Sequence, residues 1–369
     1  MSRYAIELAD ASDDEALKQL VADNPMNGRF QISLRREPSF FHAVKIQGPF
    51  CQVGVARDLH SGRAVGCATR AVRPAYLNGE RAELGYIGGL RLDPRFRGGM
   101  LLARAYRTFR RLHEDERTRL YLTTIIDDNH AVRQLLGSQR AGLPRYHDWG
   151  RYHTLVIDST RKRQPSAGSL RVERGNQSRV AEISDCLSRN GRRRQFFPHY
   201  TEEEFSKSCQ HFRDFNVGDF HLALKGSRVV GVAAAWDQSA FKQTVLVGYS
   251  GMVKTVRPLY NLVARLGGLP RLPSPGSLLK HCFMSFVAVD GDELDVFRAL
   301  LDSIHSQVAA QGYDYLMVGL HQRDPLLRAA REYPHRDYVS RLYVVYWEDG
   351  AEVCKSLDGR VPYLELAVL

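Results

Sequence analysis

Two apolar rhythms alternate along the chain. Runs in which every second residue is apolar predict strands, and apolar residues spaced three and four apart predict helices. In the first part the strand pattern falls at 4–8, across a hairpin spanning 51–72, and at 82–92, 120–126 and 152–157. The helical pattern falls at 13–21, 98–113 and 129–138. After the polar, basic stretch "STRKRQPSAGS" at 159–169, which reads as a linker, the same order starts again. A strand at 170–172, a helix near 178–188, a hairpin at 220–236, a strand at 283–289, a helix at 292–309, a strand at 315–320, a helix from 325 and a strand at 342–347 complete it.

Both hairpins carry R-x-V-G-x-A at the same place, "RAVGCA" from Arg63 and "RVVGVA" from Arg228. Repeated element order and this local match predict an internal duplication. The expected units are residues 1–158 and 170–369, joined by the 159–169 linker. The second contains an insertion at about 238–280 with a helix near 254–266 and a Pro/Gly-rich loop, "GGLPRLPSPG". The predicted class is α+β or α/β, each half a twisted mixed sheet with helices on both faces.

The densest chemistry lies in "AELGYIGGLRLDPRFRGGMLLARAYRTF". From Leu101 the apolar positions Leu102, Ala105, Tyr106, Phe109 and Leu112 form one helix face, which sets Arg97, Gly98 and Gly99 at the helix N-terminus. There the first backbone N–H groups lack intrahelical partners and the helix dipole is positive. Glycines admit a ligand close to them, and Arg95 and Arg97 add charge, a combination suited to a pyrophosphate. The preceding strand holds Gly85, Gly88 and Gly89. Glycines within a strand mark a bulge or a close backbone approach. A bulge at 88–89 splays this strand from the next and opens a slot for an extended amide arm. Coenzyme A combines such an arm with a pyrophosphate.

These residues resemble the acyl-CoA loop of the GNAT superfamily of N-acetyltransferases, written Q/R-x-x-G-x-G/A after a strand often ending V-x-P. Arg95, Gly98 and the strand end Leu92-Asp93-Pro94 match, and Met100 departs from the last position. "DDNHAVRQLL" resembles the family's Asn-initiated helix, with Asn129 in the Asn position and Leu136 where a tyrosine general acid often stands. The resemblance implies an acyl-CoA co-substrate, acetyl-CoA foremost, bound by Leu90, Arg91, Leu92, Arg95, Arg97, Gly98, Gly99, Met100 and Asn129. It implies a glutamate base on the glycine strand, here Glu83, with Asp127 and Asp128 as second candidates. The main-chain N–H groups of Leu90–Leu92 are the implied oxyanion donors. Tyr146, or else Tyr86, takes the place of the missing acid. In the second half Asp290, Asp292, Glu293 and Asp295 crowd the equivalent helix start, and carboxylates there repel a pyrophosphate, so that half is expected to have lost the cofactor site.

The remaining observations narrow the partners. The formal charge of +11 favours an anionic partner without saying which. The reading that follows is acyl transfer to a primary amine of a small molecule or peptide. The alternatives are an aminoacyl-tRNA-dependent transferase and a non-catalytic acyl-CoA-binding scaffold; the basic run "NGRRRQF" keeps nucleic acid in view. No metal-ligand spacing, Walker A or G-x-G-x-x-G motif occurs, and "GYSGM" misses the G-x-S-x-G elbow at Met252. The chain opens on no basic-then-apolar leader and holds no run long enough to span a bilayer, so neither a signal peptide nor a membrane partner is expected. Six cysteines without CxxC spacing predict buried reduced thiols in a cytoplasmic protein.

Overall fold

The alternating segments do build strands, but the strands of the two halves merge into one sheet. The computed structural model describes residues 3–26, 30–96, 101–137, 143–161, 170–206, 209–266 and 272–369. The first half runs β1 (Tyr4–Leu8), α1 (Asp14–Ala22), β2 (Phe30–Arg35), α2 (Phe40–Lys45), β3 (Phe50–Asp58), β4 (Ala64–Leu77), β5 (Glu80–Leu92), α3 (Leu101–His113), β6 (Tyr121–Ile126), α4 (His130–Gly137) and β7 (Arg145–Asp158). The second runs β8 (Arg171–Arg174), α5 (Val180–Gly191), β9 (Arg194–Gln195), α6 (Glu202–Ser206), β10 (Phe220–Lys225), β11 (Arg228–Trp236), β12 (Gln243–Tyr249), α7 (Gly251–Leu266), β13 (His281–Val289), α8 (Leu294–Ala310), β14 (Tyr315–His321), α9 (Leu327–Ala330), β15 (His335–Tyr346), α10 (Ala351–Ser356) and β16 (Val361–Pro362).

Twelve strands form a continuous sheet in the order β1-β3-β4-β5-β6-β15-β7-β14-β13-β11-β10-β8. The closing strands are exchanged. β15, from the second half, pairs antiparallel with β6 of the first, from Tyr121↔Val345 to Ile126↔Ser340. β7, from the first half, pairs with β14 of the second, from Asp158↔Tyr315 to Tyr152↔His321. β7 and β15 also pair with each other along their length. Leu155, Ile157, Leu316, Val318, Leu342 and Val344 on these central strands are fully buried. Each contributes about 1.5–3 kcal/mol by leaving water.

The pleat of β4 sends alternate residues to opposite faces. Cys67 packs with Leu17, Leu20 and Val21 of α1, whereas Ala68 packs with Tyr106 and Phe109 of α3. A second link ties the halves together. β2 pairs antiparallel with β12, which lies in the 238–280 insertion, from Arg35↔Gln243 to Phe30↔Tyr249. Two grooves lie at corresponding places in the two halves. One, of about 530 Å3, lies between α1, the β3–β4 turn at Arg63 and the Asp93–Arg95 segment. Its counterpart, about 390 Å3, lies between α5, Arg228 at the start of β11 and Asp290–Gly291.

A buried polar network pins β4, α3 and β6 where the site begins. Arg70, 1% exposed, gives two hydrogen bonds to Asp115, at 2.7 and 2.9 Å, and one to Tyr121 Oη at 3.0 Å. Tyr121 Oη lies 2.9 Å from His113 Nδ1, and His113 Nε2 lies 3.0 Å from Asp349. Burial opposes ionisation of Asp115, but hydrogen bonds from Arg70 and the Arg117 main chain prevail and hold its pKa below the ordinary carboxylate value. A group with a lowered folded pKa stabilises above its unfolded pKa, about 4, and that contribution is lost as pH falls through the folded value. Asp115→Asn leaves the buried guanidinium unpaired, with an expected cost of about 3 kcal/mol at neutral pH. Thermal melts from about pH 7 to about pH 3 should show the gap between wild type and variant closing in acid; a gap that does not change with pH would contradict the assignment.

Candidate functional site

The three glycines of β5 each have a local cause. β5 pairs with β4 along its length, but with β6 only at Gly85↔Tyr121 and Tyr86↔Leu122. Beyond those two pairs the parallel strands diverge. The ladder with β4 steps from Thr69↔Gly88 to Cys67↔Arg91, which leaves Gly89 and Leu90 as a bulge opposite Ala68. Gly89 has φ +62°, a left-handed conformation that glycine adopts without the Cβ penalty. The expected bulge at 88–89 therefore sits one residue later. A Cβ on Gly85 would lie 2.1 Å from the Tyr121 ring, and one on Gly88 would lie 2.3 Å from the Tyr86 ring. The Tyr86 ring thus lies along its own strand, with its hydroxyl 3.5 Å from Thr124 Oγ1 of β6, across the mouth of the gap.

The predicted cofactor residues gather at this opening. Leu90 is 42% exposed. The Arg91 N–H faces the Cys67 thiol on the β4 side; among the described residues no side chain accepts from the main-chain N–H groups of Gly89, Leu90 and Leu92. Leu90 and Leu92, with Leu101, Leu102 and Phe109 of α3, line an apolar crevice. Asn129 caps α4, its Oδ1 accepting from the Val132 N–H at 3.3 Å. Arg95 pairs with Asp93 at 2.6 Å. Arg97, Gly98, Gly99 and Met100 lie outside the described residues.

The catalytic candidates separate. Glu83 is exposed on β5, opposite Pro74, and among the described residues it makes no ion pair, with Arg81 or any other cation. Strand alternation puts it on the face of Gly85 and Ile87, the α3 side, whereas Tyr86 points to the other face. Asp127 is held by Arg133 at 3.2 Å, with Arg151 and Arg341 at 3.6 and 3.8 Å; Asp128 is exposed. Tyr146 hydrogen-bonds Tyr106 of α3 through its hydroxyl, and its ring stands edge-on to Tyr343. Burial, then Tyr106, pushes its pKa well above 10. Leu136, where the family often has its acid, packs in that same cluster at 5% exposure.

Two arginines at the opening carry more weight than sequence reasoning gave them. Among the described residues Arg36, just past β2, bonds its neighbour's carbonyl, Arg35 O, and no other group. Arg91 donates to Leu90 O, and its Nε is buried without a partner. Burial and the nearby Arg91 lower the Arg36 pKa to about 10. The groups that face Arg91 are the Cys67 thiol and the Tyr338 and Tyr86 phenols, with no carboxylate among them. Arg36 follows a strand the sequence pattern did not reveal, so its signal was weak.

The second half repeats the bulge and closes it. The β11–β13 ladder shifts opposite Ala233, the counterpart of Ala68, and Phe286 takes φ +57°. Here the Phe286 N–H donates to buried Glu365 at 2.8 Å and the Val287 N–H to Tyr363 Oη at 3.2 Å. β13 and β14 stay paired over four positions, from His281↔Tyr315 to Met284↔Val318. Asp290 is taken up by Arg189 at 2.9 Å and Asn190 at 2.8 Å.

No family model and no curated protein matches the sequence. Solved structures do. The chain superposes on a GCN5-related N-acetyltransferase from Sphaerobacter thermophilus over 100% of its own length and 99% of the other, with TM-score 0.55 and 11% identity. It superposes on Saccharomyces cerevisiae N-myristoyltransferase with bound myristoyl-CoA over 94% and 79%, with TM-score 0.59 and 11% identity. The glucosamine N-acetyltransferase region of a fungal multi-domain β-N-acetylglucosaminidase matches at TM-score 0.61 and 14% identity, over 93% of this chain and 38% of that one. The fold of the chain is therefore that of the GCN5-related N-acetyltransferases and N-myristoyltransferase.

The packing of Tyr86 on Gly88 is directly measurable. Gly88→Ala should cost about 1–3 kcal/mol through overpacking. In a Tyr86→Ala background the same change should cost almost nothing, and equal costs in both backgrounds would refute the contact.

Proposed function

We propose that the chain is an acyl-CoA-dependent N-acyltransferase that moves an acyl group, acetyl foremost, to a primary amine. The observation that carries this reading is the contrast between two equivalent bulges. In the second half the bulge amides are taken up by Glu365 and Tyr363, whereas among the described residues those of Gly89 and Leu90 have no side-chain acceptor, beside an open strand gap. A ligand arm with alternating amide groups supplies the missing acceptors. Its pyrophosphate lies at the segment before α3, where Arg95 and Arg97 add positive charge to the helix N-terminus. The second half is a duplicated, cofactor-free domain that supplies β15 and β12. The six free cysteines support a reducing, cytoplasmic setting.

In this mechanism Glu83, through a water, takes the proton from the ammonium of the acceptor, since an alkylammonium with pKa about 10 is not nucleophilic. The amine nitrogen attacks the thioester carbonyl, and main-chain N–H groups at Leu90–Leu92 stabilise the oxyanion. The nitrogen loses its second proton to water as the amide forms, the C–S bond breaks, and the thiolate leaves with a proton from Tyr86, which is reprotonated from solvent. We assign this last role to Tyr86 rather than Tyr146, because Tyr86 lies at the gap and Tyr146 is bound to Tyr106. A thiol pKa of about 8.5 makes that proton a modest aid rather than a requirement.

Thermal melts with acetyl-CoA and, separately, with tRNA test the reading. Acetyl-CoA at about 100 times its Kd should add about 2.7 kcal/mol of stability; a shift with tRNA alone would replace it with the nucleic-acid reading. Gly98→Asp should abolish the coenzyme shift. Glu83→Gln should lower kcat by about 100-fold or more while leaving that shift intact; unchanged turnover would remove Glu83 as the base.

A further inference from the structure

Helix α7 is built inside out. A surface helix ordinarily turns its apolar stripe to the protein and its polar side to water. In α7 Arg257 and Asn261 face the protein, whereas Lys254 and Thr255 are exposed. The Arg257 guanidinium lies 5.3 Å from the Tyr249 ring centroid and donates to Ser274 Oγ at 3.3 Å. Asn261 donates to Leu272 O at 3.0 Å and accepts from Leu272 N–H at 2.8 Å. The large apolar residues point outward: Met252 is 81% exposed, Val256 45%, Leu259 65% and Leu262 57%. Their spacing of four, three and three residues puts them on one side. Leu278 and Val247, from the adjoining loop and β12, extend the exposed apolar set at 47% and 38%. An uncovered apolar strip of this kind marks a contact surface.

Charge selects what covers it. From Gln238 to Val289 the chain has six lysines and arginines and not one aspartate or glutamate. A second copy seated on the same face would bring basic residues against basic residues, which opposes association. The strip is convex, the outer side of a helix, and so meets a flat surface rather than filling a groove. At sixteen residues α7 is about 24 Å long, and no helix among the described residues is long and apolar enough to cross a membrane. A basic amphipathic helix with an outward apolar stripe suits a position lying in the plane of an anionic bilayer.

We propose that α7 docks the protein on an anionic phospholipid surface, with Met252, Val256, Leu259 and Leu262 entering the acyl boundary and the exposed Lys254 and Lys280 of the segment meeting headgroups. This departs from the expectation that no membrane is involved, which rested on the lack of a spanning run. It does not depend on the acyltransferase reading.

The test is flotation of the full chain with vesicles of phosphatidylcholine alone and of phosphatidylcholine with roughly one-third phosphatidylglycerol. The bound fraction should be at least about fivefold higher on the anionic vesicles and should fall as salt is raised. Leu259→Asp combined with Leu262→Asp should abolish binding without lowering the melting temperature, since both side chains lie in water in the free protein. A Met252→Trp variant should shift its emission to the blue on adding anionic vesicles and not on adding neutral ones. Equal or negligible binding to the two vesicle types overturns the proposal. So does sedimentation that shows a concentration-dependent dimer broken by the double substitution, which would give the face to a second copy.

Discussion

The site depends on β15 holding the far edge of β6. Parallel neighbours such as β5 and β6 lower their energy by pairing along their whole length, at about 0.5–1.5 kcal/mol net per hydrogen bond. An open gap between them therefore needs two supports. On one side, the bulge at Gly89–Leu90 and the Tyr86 ring laid over Gly88 turn β5 away. On the other, the ladder from Tyr121↔Val345 to Ile126↔Ser340 keeps β6 in the plane of the sheet after it loses β5. That second support comes from the opposite end of the chain. The exchange of closing strands thus makes the second half a structural component of the first half's site, whatever else it does.

The two halves show two outcomes of one backbone device. Both halves place a bulge opposite the alanine of R-x-V-G-x-A, at Ala68 and Ala233. The first uses glycine and, among the described residues, leaves the Gly89 and Leu90 amides without side-chain acceptors. The second tolerates Phe286 in a left-handed conformation, at a cost of about 1–2 kcal/mol. It offsets that cost by burying the ring fully among Phe212, Phe215, Phe220 and Trp236 and by giving its amides to Glu365 and Tyr363. Burial raises the pKa of Glu365, so the tail fills the slot with a carboxyl group that gives up its proton reluctantly. A slot satisfied from within has little to offer a ligand. Asp290, near the helix start, is itself tied up by Arg189 and Asn190.

Most elements were legible because their apolar periods are long and regular. The helix expected at 98–113 and the strand expected at 82–92 appear as Leu101–His113 and Glu80–Leu92. The glycines of β5 announced a bulge or a close approach, and the strand has both: Gly89 forms the bulge, whereas Gly85 and Gly88 leave room for the Tyr121 and Tyr86 rings. What the sequence concealed is long-range. The exchange of β7 and β15 involves pairing that no local pattern encodes. β2 and β12 are short, and neither buries a regular alternate face, since each leans on the other across the halves. The choice between Tyr86 and Tyr146 likewise turned on a tertiary contact, the hydroxyl of Tyr106.

The distribution of charge completes the account of the opening. A guanidinium withdrawn from water normally has a carboxylate beside it, because a buried unpaired charge is costly. Arg70 obeys that rule with Asp115, and Arg194 obeys it with Asp292 and Asp324. Arg36 and Arg91 break it together. They sit within electrostatic reach of each other, with a thiol and phenols around them, and Lys242 nearby spends its ammonium on the Ala367 and Leu369 carbonyls. Burial first, and then the neighbouring Arg91, lowers the affinity of Arg36 for its proton. Field lines from charges at a low-dielectric opening are focused outward. Two of the protein's many basic side chains, Arg36 and Arg91, thus stand beside each other at the opening, with no carboxylate against either among the described residues.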